Sequence, residues 1–138
     1  MSELLDSLLL KRGITAEGKD FFLNPDYKRD LHDPFLMRDM EKACLRLFRA
    51  IEAGEKIVVY ADYDCDGIPG AVILNDLFVL LGYKNYEVYI PQRNSEGYGL
   101  NLTAIKKFTE SRVKLVITID LGVTAVEEVA QAEMDGID

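Results

Sequence analysis

The residues with the most chemistry in them are Tyr60-Ala61-Asp62-Tyr63-Asp64-Cys65-Asp66-Gly67. Three aspartates alternate here, directly after an apolar run. In extended backbone alternate side chains share a face. Asp62, Asp64 and Asp66 are therefore expected to converge while Tyr63 and Cys65 turn away. Carboxylates held that close repel and raise one another's pKa, a cost that a divalent cation removes. Oxygen-only donors favour Mg²⁺ or Mn²⁺ over Zn²⁺. The plainer reading is a solvated acidic turn, with Asp66 capping a helix that opens at Pro69. Position favours the metal, because ligands of parallel sheets bind where strands end. The Asp-x-Asp-x-Asp-Gly opening also matches a calcium EF-hand loop. That reading fails because Ile73 stands where a bidentate Glu is needed, and because a strand rather than a helix precedes the loop.

Asp120 is the second candidate. It follows the apolar run Leu115–Ile119 as Asp62 follows Ile57–Ala61. Two carboxyl ends of parallel strands open onto one crevice, so Asp120 is expected to join the same site. Leu121-Gly122 supplies a tight turn beside it, and capping of a helix from Val123 is the plainer alternative. Between the two lies Pro91-Gln92-Arg93-Asn94-Ser95-Glu96-Gly97-Tyr98-Gly99-Leu100. Arg93 is suited to a phosphate, and Gly97 and Gly99 permit close backbone approach. A surface turn with a charged residue reads at least as well from composition.

The elements that must position these residues follow from hydrophobic period. Leu4, Leu5, Leu8 and Leu9 have helical spacing, so the N-terminus reads as a short helix and not as a signal peptide. A second helix is expected to start near Thr15 and end at Asn24-Pro25, and His32-Asp33-Pro34 is expected to turn. Residues 36–53 predict an amphipathic helix with Leu36, Met40, Ala43, Leu47, Ala50 and Ile51 on one side, closed by Gly54. Lys56–Ala61 then reads as a strand buried on both faces. A helix over 69–81, a strand over Tyr86–Ile90, a helix over 101–111, a buried strand over Lys114–Ile119 and a helix from Val123 to Met134 complete the pattern. Alternating strands and helices mean a parallel sheet with crossover helices.

With 138 residues, 49% hydrophobic and 29% charged, the chain has the composition of a globular domain. A net charge of −8 excludes a general polyanion binder that works by its own electrostatics. If the chain handles nucleic acid, metal ions must offset its carboxylates or basic surface must come from elsewhere. His32 is the only histidine, which leaves little room for histidine chemistry. Cys44 and Cys65 form no Cys-x-x-Cys pair, so a reducing cytoplasm and no disulfide are expected. No apolar run reaches the length of a membrane span.

With these residues in this order, the chain resembles the DHH phosphoesterase superfamily. DYDCDG is similar to its first motif, whose aspartates hold catalytic metal, and Asp120 in TIDLG is similar to its second. The segments LLLKRGI, FLNP, LHDPFLMRDMEKA and GEKIVVYADYDCDGIPGAVIL, with the P-x-R-x-x-EGYGLN loop, resemble the N-terminal part of its single-strand-specific DNA exonucleases over nearly the whole chain. Leu121 departs from the pattern, which has a small or polar residue there, and Pro69 stands where Thr or Ser is common. The resemblance implies an α/β fold of three layers, Rossmann-like, with a mostly parallel sheet. Residues 1–54 would be an N-terminal helical segment and 55–138 the first part of the phosphoesterase domain. It implies 5′-to-3′ hydrolysis of single-stranded DNA by divalent-metal catalysis in repair and recombination. Asp62, Asp64, Asp66 and Asp120 would be catalytic and hold Mn²⁺ or Mg²⁺, two ions in the full-length parent. Arg93, Tyr98 and Gly99 would meet the substrate.

The superfamily's Asp-His-His motif is expected soon after Gly136-Ile137. Residues 1–138 are therefore expected to be inactive alone, with an unfinished sheet whose open edge favours self-association. Two other readings stand beside this one. One is a different phosphodiesterase of the same superfamily, acting on short oligonucleotides or cyclic dinucleotides, although those start close to the first motif. The other is a receiver-like Mg²⁺-binding signalling domain, which would start at its first strand and not after a long leader.

Overall fold

The computed structural model describes residues 3–138. The chain divides into two compact units, one through Met40 and one from Glu41 to Asp138. In the first, α1 (Glu3–Lys11) has acidic residues in its first turn and Lys11 in its last, the arrangement that the helix dipole favours. Lys19 at the start of α2 (Lys19–Leu23) pairs with Asp6. Helix α3 (Tyr27–Asp30), unmarked by any hydrophobic period, exists because the Asp26 side chain accepts the backbone N–H groups of Lys28 and Arg29. Asp33 caps a short 3-10 turn, Pro34–Leu36, in the same way.

In the second unit the helix expected over 36–53 runs only from Met40 to Glu52 (α4). Asp39, at φ 60°, is in the left-handed region and cannot continue a right-handed helix. The elements that follow are β1 (Lys56–Ala61), α5 (Gly67–Leu80), β2 (Tyr86–Tyr89), α6 (Leu102–Glu110), β3 (Val113–Ile119) and α7 (Val126–Met134). Each lies within a few residues of its expected place. The sheet is parallel in the order β2-β1-β3. Helix α4 packs with this unit through Ala50, Leu47 and Ile51.

Alternation along β1 builds the three layers. Ile57, Val59 and Ala61 pack against Ala50 of α4 and Ala71 and Phe78 of α5. Val58 and Tyr60 pack on the other face against Ala104, Ile105 and Phe108 of α6 and Ala132 of α7. Five consecutive β1 residues, Ile57 to Ala61, are fully buried, as a central parallel strand requires. Strand β3 is less covered than its apolar sequence predicts. Lys114 and Thr118 are exposed, because β3 lies at the sheet edge. At that edge the Val116 N–H donates to the Asp138 carbonyl at 2.8 Å, and the Asp138 N–H to the Lys114 carbonyl at 3.0 Å.

Phe78 is fully buried and meets the rings of Tyr83 and Tyr86 at centroid distances of 5.8 and 4.6 Å. Phe78→Ala should lower stability by about 3–5 kcal/mol, because it leaves a cavity beneath the central strand. Val123→Ala, at a 97% exposed position, should change it by less than about 0.5 kcal/mol. Urea titrations of the two variants against wild type measure the difference.

Candidate metal centre

The site begins with register. In the β1–β3 pairing Ala61 lies opposite Ile119, so the next residues of the two strands, Asp62 and Asp120, leave the sheet side by side. The Asp62 N–H continues the ladder to the Ile119 carbonyl at 3.3 Å. Asp62 is 2% exposed, and its Oδ1 accepts the N–H of Tyr63 at 2.8 Å.

Beyond Asp62 the backbone does not stay extended. It turns through residues 63–66 and enters α5 at Gly67, so strand alternation does not decide which aspartates meet. Asp64 Oδ1 accepts the N–H groups of Asp66 and Gly67, each at 2.9 Å. Asp64 thus satisfies the helix entrance, while Asp66, in the N-cap position, makes no side-chain cap hydrogen bond. On the other strand Asp120 has φ 59°, and Gly122, at φ 100°, completes a turn that a Cβ would close against Thr118. Helix α7 starts at Val126 with Ala125 as its N-cap residue. Asp120 is therefore not a helix cap.

Asp62, Asp64 and Asp120 each offer a carboxylate oxygen, and these oxygens lie within 4.8 Å of one another. Asp66 is outside the group. Among the described residues no lysine or arginine forms an ion pair with any of the three. The donor set is all oxygen and negatively charged, which fits a hard divalent cation. Its electrostatics are uneven. The backbone N–H groups of Gly67 and Asp66 hold the pKa of Asp64 below the usual carboxylate range. Desolvation, and then the charges of Asp64, Asp66 and Asp62, push that of Asp120 up. With no cation bound, Asp120 is the first of this pair to take a proton.

The loop after β2 lies on the same rim. Arg93 is exposed, with its guanidinium 5.4 Å from the Tyr63 ring centroid. The Tyr98 hydroxyl donates to the Asp120 carbonyl at 3.4 Å. Gly99 anchors the loop through its carbonyl, which accepts the Tyr60 hydroxyl at 2.9 Å. Three supports of this loop escaped the sequence reading. Tyr60 looks like one more apolar strand residue, yet its hydroxyl also accepts from Asn101 Nδ2 at 3.1 Å. Asn101 in turn caps α6 by accepting the Ala104 N–H at 2.8 Å. Glu96 accepts the Tyr89 hydroxyl on one oxygen and the Gln92 N–H, at 2.9 Å, on the other. The usable signals were the helix-capping Asn before Leu102 and the tyrosines inside strands, whose hydroxyls need partners when buried.

The raised pKa of Asp120 makes a signed prediction for the metal-free protein. A carboxyl whose folded pKa is raised costs stability in full above that pKa. The cost fades as pH falls toward the unfolded value of about 3.9. Asp120→Asn should therefore melt higher than wild type at neutral pH in EDTA, and the gap should shrink on acidification. Thermal melts across pH 4 to 8 read this directly, and a gap that widens toward low pH would contradict it.

Comparison with known proteins identifies the family. The DHH family, N-terminal domain, matches residues 56–138. The chain is 41% identical over 140 residues to the single-stranded-DNA-specific exonuclease RecJ of Bacillus subtilis, covering all of this chain and 17% of that protein. It is 31% identical over 114 residues to RecJ of Thermus thermophilus, covering 80% of this chain and again 17% of the relative. A crystal structure of RecJ in complex with Mn²⁺ from Thermus thermophilus matches with a TM-score of 0.61 and 25% identity, over 74% of this chain and 14% of that one. The chain thus spans about a sixth of the length of these relatives, 17% in each case. The fold, the paired strand ends and the family match together place the chain in the DHH family, as a bearer of its N-terminal domain.

Proposed function

We propose that this chain is the metal-holding front part of a RecJ-like exonuclease that hydrolyses phosphodiester bonds of single-stranded DNA from the 5′ end, in a reducing cytoplasm. The observation that carries the reading is the convergence of Asp62, Asp64 and Asp120 within 4.8 Å at adjacent strand ends. These three residues would hold Mn²⁺ or Mg²⁺, and Asp66 would act on the site through its charge. Bound divalent cations, two in the parent enzyme, supply the Lewis acidity that activates water and offsets charge on the phosphate.

The chain's own residues do the remaining work. Arg93 brings a cation to the rim of an otherwise acidic site and is suited to a backbone phosphate. The Tyr98 ring, 68% exposed beside Asp120, offers a stacking face to a base. The Gly99 carbonyl, tied to Tyr60, holds that loop in place. The net charge of −8 means that most of the nucleic-acid grip lies in other parts of such an enzyme. The edge of β3, which among the described residues pairs beyond β1 only with Asp138, also favours association between copies of residues 1–138.

Two measurements test this. Calorimetry should detect Mn²⁺ binding to wild type and its loss in the Asp64→Ala, Asp120→Ala double variant; equal binding by both would remove the metal reading. Purified residues 1–138 should digest a single-stranded oligonucleotide slowly or not at all, because a two-metal site needs ligands that complete both ions. Robust Mn²⁺-dependent digestion, abolished by Asp64→Ala, would show that the residues present suffice.

A further inference from the structure

The first turn of α5 is pressed unusually close to both strands that carry the aspartates. At Gly67 a Cβ would lie 2.8 Å from the backbone carbonyl carbon and nitrogen of Asp62. At Gly70 it would lie 2.5 Å from Cγ2 of Ile119, the residue that immediately precedes Asp120. Both distances are below any normal contact with a real Cβ. The helix therefore touches β1 at the backbone of one candidate ligand and β3 one residue before another. It reaches both only because neither glycine has a side chain. A glycine inside a helix is a poor helix former, and alanine in its place ordinarily stabilises. Here the missing methyl is what lets the helix seat.

The geometry has a consequence for the ligands. Asp64 is fixed to the start of α5 by its bonds to the Asp66 and Gly67 N–H groups. Asp120 is fixed to the end of β3. The separation of these two carboxylates is thus the separation of the α5 entrance from Ile119. We propose that the contact of Gly70 with Ile119 sets the gap between the two halves of the metal site, so that Gly70 is a positioning residue for cation binding although it carries no ligand. The proposal rests on the metal reading above and adds to it the part that fixes spacing. A methyl at position 70 would force α5 and β3 apart by roughly 1 Å, the shortfall between 2.5 Å and an ordinary carbon–carbon contact. Second-sphere supports of metal ligands typically change affinity by about 10–100-fold when lost.

The test uses the chain of residues 1–138, Mn²⁺ titrated calorimetrically, and thermal melts in EDTA. Gly70→Ala should weaken Mn²⁺ binding by about tenfold or more. Adding Ile119→Leu, which removes Cγ2 and keeps the side-chain volume, should restore most of the affinity. Adding Ile119→Val, which is smaller but retains Cγ2, should not. If Gly70→Ala alone fails to fold, the Gly70→Ala, Ile119→Leu protein should fold and bind Mn²⁺ while the Ile119→Val version does not. The proposal is overturned if folded Gly70→Ala binds Mn²⁺ as wild type does. It is also overturned if Leu and Val at position 119 act alike, or if the Leu combination does not fold. Failure of the underlying metal reading looks different: wild type and the Asp64→Ala, Asp120→Ala variant would then bind alike, which would remove the site and its spacing together.

Discussion

Repulsion between three carboxylates that, among the described residues, no lysine or arginine pairs with is the constraint on which the rest of the site depends. Asp62, Asp64 and Asp120 are held with carboxylate oxygens inside 4.8 Å of one another. Each is placed by a different device. A buried strand delivers Asp62, a helix entrance fixes Asp64 through two N–H groups, and a left-handed residue at a strand end turns Asp120 back toward them. Strained backbone and crowded like charges persist where the surrounding structure over-determines them. Here the parallel pairing of β1 with β3 does so, because Ala61 and Ile119 are in register.

The opposed pKa directions of Asp64 and Asp120 follow from the same layout. One carboxylate sits on N–H donors and stays ionised; the other meets desolvation and three neighbouring negative charges. A cation would reverse the balance by making every one of those charges favourable. The loop that carries Arg93 and Tyr98 is supported from beneath. The Tyr60 and Tyr89 rings stack at 5.2 Å over Phe108, and their hydroxyls reach Gly99 and Glu96. Burial pushes the Tyr60 hydroxyl's pKa up, so it keeps its proton and donates to the loop at neutral pH. Core packing and rim geometry are thus one structure.

Much of this was legible in the sequence because it is periodic. The apolar run before Asp62 and the matching run before Asp120 located two strands and set both residues at carboxyl ends of a parallel sheet. What period could not supply was the path after each strand. Strand alternation grouped Asp66 with Asp62 and Asp64, whereas a turn at Tyr63 and an early helix leave Asp66 outside the group. The helix placed at 36–53 lost its first residues to Asp39, whose left-handed backbone has no hydrophobic signature. The short α3 depends on one capping aspartate, not on an apolar stripe. The roles of Gly67 and Gly70 were invisible for another reason. Their importance lies in what a side chain would strike, and only the assembled fold brings Asp62 and Ile119 to them.

The most direct test of the account is anomalous diffraction from crystals of the chain soaked in Mn²⁺ at neutral pH. A peak at bonding distance from Asp62, Asp64 and Asp120 together, lost in crystals of an Asp120→Asn variant, is the result predicted. Crystals that show no peak between these three side chains, or a peak bound by Asp66 and solvent alone, would contradict it.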